Sequence, residues 1–301
     1  MENKTASVQR GSSEYRKGVI YVLACQLMWG VLPIYWQALE PIPSWIIILY
    51  RIVTMFVYSY AAARLRYTRE EIWGPLKDRA VRRLYFTSGL ILTLNWSIYI
   101  WAMTSEHVIQ SAIGYYIEPL VICAVGIVFF KEQLTKYNLT AMAFAAAAIL
   151  LILIHYRQLP GVALGLASTW AAYSAIKKAS KIPAILALVY ETMVYAVIAL
   201  AAIIYIEMRG VGAISVGVPG KYALMFLSGL VTLVPVALFG AAAPRVSLLL
   251  IGMVQYGSPT ITLLLGIFLF HEPIDMVQIT AFVIIWIGLV IFTYGESRNG
   301  Q

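Results

Sequence analysis

Long apolar stretches alternate with short polar ones along the chain. Ten of the apolar stretches match or approach the about 20 helical residues needed to cross a hydrocarbon core of about 30 Å. They cover residues 18–39, 44–63, 84–105, 108–130, 137–155, 160–176, 183–206, 222–243, 246–270 and 276–294, the sixth being the shortest. None alternates with period two, and in lipid only a helix or a closed barrel satisfies every backbone N–H and C=O. The pattern therefore predicts ten membrane helices. The first stretch follows Arg16 and Lys17 as in a signal peptide, but it outruns the usual apolar core and no A-x-A site follows, so it reads as an uncleaved span.

Composition supports lipid as the solvent. Hydrophobic residues make up 61% of the 301 and charged residues only 12%, and the mean hydropathy is +0.81. Soluble domains run near half apolar and a quarter charged. The net charge of +8 would suit nucleic acid, yet its placement says otherwise. Eighteen of the 22 Lys and Arg fall in the N-tail, in alternate loops and in the C-tail. The other side has only Arg157, Arg209 and Lys221, and Arg51 lies inside a span. Positive residues stay on the cytoplasmic side. Both termini are thus expected in the cytoplasm of a multi-pass protein of the cell inner membrane, with the lipid bilayer and not nucleic acid as the partner of the basic loops. In the 64–83 loop, Thr68 and Glu71 have capping-box spacing for a short surface helix, but a solvated basic connector is the expectation.

An internal repeat is the most informative feature. At an offset of 140, Pro43, Tyr50, Phe86, Ser88-Gly89-Leu90, Ala102, Tyr116, Pro119, Gly126, Phe130, Glu132 and Thr140 recur as Pro183, Tyr190, Phe226, Ser228-Gly229-Leu230, Ala242, Tyr256, Pro259, Gly266, Phe270, Glu272 and Thr280. Each copy holds five spans, an odd number, so the second enters the membrane from the opposite side. The predicted fold is an all-α integral membrane protein of ten transmembrane helices in two inverted five-helix repeats, residues 18–155 and 160–294, with cytoplasmic tails 1–17 and 295–301. Such symmetry gives a chain two related conformations, one open to each side.

The span ends Phe129-Phe130-Lys131-Glu132 and Leu269-Phe270-His271-Glu272 resemble the EamA repeats of the drug/metabolite transporter superfamily. Met28-Trp29-Gly30, the Arg51 and Glu191 positions, and Gly114-Tyr115-Tyr116-Ile117-Glu118-Pro119-Leu120 are most similar to its RarD-like branch. The resemblance covers nearly the whole chain. It implies a carrier, usually an exporter, with a central cavity between the halves, and cargo ranging over amino acids, metabolites, metallophores and drugs. A homodimer is compatible with it. Ser258 stands where the first half has Glu118, so the halves of the site are chemically unequal.

Charges inside a span are rare, each costing about 2.5–3.5 kcal/mol at the helix centre. Arg51, Glu118 and Glu191 are the three far from a helix end, and Arg51 and Glu191 share a repeat position. Two readings stand: a buried ion pair that locks helices, with Glu191 the natural partner of Arg51, or a cavity that grips a zwitterionic or anionic small-molecule substrate. With one cation against two carboxylates, one carboxylate is expected to carry a proton. Glu118, beside Pro119, is the candidate proton-coupling group. Pro119 and Pro259 are candidate helix breaks or hinges, freeing the carbonyls of Tyr115 and Gln255. Trp29, Asn95, Trp96, Tyr115, Tyr116, Gln255 and Tyr256, with Gln26 and Tyr35, complete the expected lining. Gly161 and Gly165 have small-xxx-small spacing and predict close helix packing.

Neither H-E-x-x-H nor G-x-S-x-G occurs, and Gly220-Lys221 lacks the rest of a P-loop. Cys25 and Cys123 sit in apolar runs, and His107, His155 and His271 lie at separate boundaries. No catalytic residue, metal or cofactor is expected, and without an ATP site any uphill transport draws on an ion gradient, protons first. The expected function is a secondary-active exporter of a small amphipathic or zwitterionic metabolite. The rivals are a membrane-embedded lipid-processing enzyme and an uncoupled facilitator or receptor.

Overall fold

A computed structural model describes residues 12–104, 108–157, 161–216, 219–271 and 275–299. His107 and Glu272 lie outside the described residues. The described chain is helical throughout, with no strand: α1 Ser13–Gln37, α2 Ser44–Arg64, α3 Arg69–Trp73, α4 Arg79–Thr104, α5 Val108–Phe130, α6 Lys136–Tyr156, α7 Gly161–Ala179, α8 Ala184–Met208, α9 Tyr222–Ala242, α10 Leu248–Gln255, α11 Gly257–Phe268 and α12 Met276–Asn299. Helix starts follow from local chemistry. The hydroxyls of Ser12, Thr135 and Ser247 each accept an N–H of the first turn of α1, α6 and α10. Pro43 and Pro183, repeat mates, precede α2 and α8 in nearly the same extended conformation.

Among the described residues, eight helical segments are long and apolar enough to cross a membrane: α1, α2, α5, α6, α8, α9, α10 with α11, and α12. The helices α4 and α7 cover the third and sixth predicted spans without being among the eight. Both carry basic ends and a polar-rich face, Lys177 and Lys178 closing α7. The outside of the bundle is apolar. Leu27, Val57, Ile154, Val197, Phe268 and Val290 are largely exposed, which only a lipid surround makes favourable. The chain is a multi-pass membrane protein.

Packing joins the halves closely. The helix α2 lies on α8 and α9, α5 on α7 and α10, α6 on α12, α1 on α9 and α11, and α4 on α7 and α8. Two repeat-matched glycines make crossings feasible. A Cβ at Gly89 would sit 2.1 Å from the Glu191 carbonyl oxygen, and one at Gly229 2.3 Å from the Met55 nitrogen. The close packing expected at Gly161 and Gly165 is not found. An added Cβ meets nothing within 4 Å at Gly161 and only ordinary contact with Ile98 at Gly165.

Two further expectations are corrected. Residues 64–83 are more than a solvated connector: the basic side chains are exposed as expected, but Thr68 and Glu71 complete a capping box and Ile72 is fully buried against Tyr85, Leu186 and Tyr190. The N–H and hydroxyl of Thr68 donate to Glu71 and hold its carboxyl below the usual carboxylate range. Nor do the two prolines break their helices alike. The chain breaks between α10 and α11 at Tyr256, whereas α5 runs unbroken through Pro119. The difference lies one residue past the break, where the second half has Gly257 and the first has Ile117. Glycine adds backbone freedom to the proline's missing N–H.

Candidate functional site

A cavity of about 470 Å³ opens among α1, α2, α4, α5, α7, α9, α10, α11 and α12, within the range that holds small-molecule ligands. Of the residues expected to line a site, Gln26, Trp29, Arg51, Asn95, Trp96, Tyr115, Tyr116, Glu118, Gln255 and Pro259 do line it. Tyr35, Pro119, Glu191 and Tyr256 do not. Tyr35 donates to the Leu224 carbonyl and ties α1 to α9, and the Tyr256 hydroxyl donates to the carbonyl of its repeat mate Tyr116 at 3.0 Å. Ser258, the counterpart of Glu118, also lines the cavity, as do Trp36, Tyr99, Trp170, Gln278 and Phe282, which sequence reasoning missed.

Arg51 enters from α2 between two indoles. Its guanidinium carbon lies 4.2 Å from the Trp96 ring centre and 5.5 Å from that of Trp36. Among the described residues it has no carboxylate partner. The expected pairing with Glu191 is not present. Glu191, 1% exposed, accepts from the Lys177 ammonium at 2.8 Å, from Ser88 Oγ at 2.8 Å and from the Tyr173 hydroxyl at 3.2 Å. Lys177 lies just past the 160–176 stretch and counts among the eighteen basic residues expected in tails and loops, but α7 continues past it and buries it to 1% exposure. Glu118 is held in α5, its carboxylate accepting from the Gln255 amide across the α5–α10 contact.

Buried polar atoms normally find partners. Among the described residues five side-chain atoms do not: Gln26 Oε1, Arg51 Nε, Asn138 Nδ2, Trp170 Nε1 and Gln255 Oε1. Four of these residues, all but Asn138, line this one cavity. Their atoms comprise two N–H donors and two amide groups, and an amide can turn to donate or accept. Below them Trp29 and Trp170 meet edge to face with ring centres 5.4 Å apart, and Phe239 and Tyr173 continue the aromatic layer toward Lys177 and Glu191. Asn95 fastens α4 to α7 by donating to the Leu166 carbonyl and to Thr169.

Glu132 is the functional position whose role the sequence concealed. Lys131 adopts φ 55° and turns the chain, and its repeat mate His271 does the same at 52°. The turn brings the Glu132 carboxylate onto the N–H groups of Leu248 and Leu249, 2.7 and 2.9 Å away, capping α10 beneath the broken helix. Among the described residues no cluster of His, Cys, Asp and Glu could hold a metal.

The profile of the EamA-like transporter family matches residues 16–154. The chain is 35% identical over 291 residues to the uncharacterized transporter YojE of Bacillus subtilis, spanning 95% of this chain and 96% of that one. It is 31% identical to Protein RarD of Streptomyces exfoliatus, spanning 97% and 93% of the two chains. With Protein RarD of Escherichia coli the identity is 28%, over 96% and 99%. One solved crystal structure covers 94% of this chain and 99% of its own with a TM-score of 0.74, at 15% identity a likeness of fold alone. Near full-length identity above 30% settles the assignment: the chain belongs to the EamA-like transporter family, in its RarD-like branch.

Proposed function

We propose that the chain is a secondary-active exporter of a small amphipathic or zwitterionic metabolite, working by alternating access through ten spans in two inverted halves. The observation that carries the cargo reading is the cavity itself. Among the described residues it holds one guanidinium without a counter-charge, one carboxylate, and four residues with buried, unpaired polar atoms, all within an aromatic wall. A solute with an anionic group for Arg51, a donor for Glu118 and an apolar body for the aromatic wall fits this lining.

The inverted repeat is supported by the packing. Exchanging the halves turns α1–α9 into α7–α4, α1–α11 into α7–α5, and α2–α9 into α8–α4, and each of these pairs is a contact. The contacts α2–α8, α5–α10 and α6–α12 join each helix to its own counterpart. On this reading α4 and α7 also span, and both termini lie in the cytoplasm of an inner-membrane protein, as the basic loops favour. The cavity then lies in the outer half of the bilayer, and the Lys177–Glu191 pair lies beneath it toward the cytoplasm.

Glu118 is the coupling group in this scheme. It is buried, without a cation partner among the described residues, and its charge in that setting is unfavourable unless a proton or the solute neutralises it. The cargo is to be found by comparing the metabolites released by cells with and without the protein. Proteoliposomes loaded with that compound should then release it faster under an inward proton gradient. Wild type that ignores the gradient, or Glu118→Gln that responds to it equally, removes Glu118 from this role.

A further inference from the structure

Arg51 in α2 and Glu191 in α8 hold one repeat position, and the chain surrounds them unequally. The loop before Pro43 is one residue longer than the loop before Pro183, so in α1 and α7 the register is 141, pairing Trp29-Gly30 with Trp170-Ala171 and Trp36 with Lys177. The contacts agree, since Trp36 faces Arg51 as Lys177 faces Glu191. At the closed end, Glu191 is shut in with Lys177, Tyr173 and Ser88, so the charge is buried together with its counter-charge. The matching positions around Arg51 are Trp36, Leu32 and Ser228, none of them anionic. Among the described residues the nearby carboxylates are committed elsewhere. Glu207 accepts from the Tyr50 hydroxyl and from the N–H groups of Ala213 and Ile214, and Glu118 accepts from Gln255.

We propose that the outer half closes over Arg51 only when the solute brings an anionic group to it, so that the loaded carrier crosses the membrane while the empty one stays open to the outside. This rests on the carrier reading above. Burying a lone guanidinium is strongly unfavourable, whereas the corresponding closure around Glu191 buries a neutral pair. The cargo class is therefore narrowed to solutes with an anionic group, and exchange of solute for solute outpaces net export.

The test reads the conformation without any cargo. Ala112 lines the cavity, and both native cysteines are buried. An Ala112→Cys chain in proteoliposomes is exposed to a cationic, impermeant thiol reagent on the outer face, chosen so that the probe does not supply the missing anion. The empty protein should label fast. Trp36→Glu places a carboxylate where the other half has Lys177, and should slow labelling by about tenfold or more relative to Trp36→Gln. Arg51→Gln, which deletes the unpaired charge, should slow it too and serves if Trp36→Glu does not fold. A third variant, Lys177→Met, leaves Glu191 without its counter-charge, so the inner closure is disfavoured and labelling should also slow as the protein turns inward. If this variant slows labelling but Trp36→Glu and Arg51→Gln do not, the anion requirement is wrong and alternation stands. If labelling is the same in all of them, the carrier reading fails along with the proposal.

Discussion

Arg51 and Lys177 show two ways of keeping a cation inside a helix bundle. Lys177 is neutralised by Glu191, while Arg51 rests on indole faces beside a cavity. The consequences of mutation should differ accordingly. Arg51→Ala removes a contact to the solute and leaves no orphan behind, so the protein should stay monodisperse in detergent while transport falls about 10–100-fold, the range expected for hydrogen bonds to a charged group. Lys at this position should restore only part, because it lacks the planar two-pronged donor. Lys177→Met instead strands a buried carboxylate and should lower stability by about 3–5 kcal/mol, seen as a reduced melting temperature, with Glu191→Gln added in the same chain recovering most of it. Loss of folded protein in Arg51→Ala, with Lys177→Met unaffected, would reverse the two roles. That Arg51 and Glu118 lie in one cavity was legible in the sequence, because charges inside apolar runs stand out. The partner of Glu191 was not. Lys177 sits among other lysines at a span end, and only the length of α7 reveals that it is buried.

At the scale of elements, the apolar runs located the long helices to within a few residues: 44–63 became Ser44–Arg64, and 222–243 became Tyr222–Ala242. Features that depend on a second helix were harder to read. The repeated Ser-Gly-Leu was visible as a pattern, but its reason is the backbone it touches, Glu191 in one copy and Thr54 and Met55 in the other. Gly89→Ala and Gly229→Ala should each destabilise the fold by about 1–3 kcal/mol, since a backbone neighbour cannot swing aside. Gly161→Ala, with open space around it, should melt like wild type, and equal melting of all three would contradict the packing described. Glu132 likewise reads as part of a family motif until α10 is placed against it. Glu132→Ala should cost about 1–3 kcal/mol by leaving two N–H groups of α10 without their acceptor. Glu132→Gln should do so less, because one amide oxygen can still accept.

At the scale of the whole molecule, the proposed five spans per repeat and the one-sided basic loops together call for a single orientation. Arg157 and Lys77 are both exposed, and the proposed orientation puts the first on the outer face and the second on the cytoplasmic face. In intact cells Arg157→Cys should react with an impermeant thiol reagent and Lys77→Cys should not; labelling at 77 would invert the molecule. Alternation is the central claim of the proposed inverted repeat, in which two halves that keep a few matched residues but are unlike at Arg51/Glu191, Trp36/Lys177 and Glu118/Ser258 would trade conformations. The direct measurement is counterflow. Proteoliposomes carrying the purified protein are preloaded with unlabelled cargo, placed in a trace of the labelled compound, and followed with no imposed gradient of ions. An alternating carrier should draw label in transiently above its outside concentration, and at least several times faster than vesicles loaded with buffer alone. Label that enters at the same rate whether or not cargo waits inside would mean a channel or a receptor, and would contradict the account.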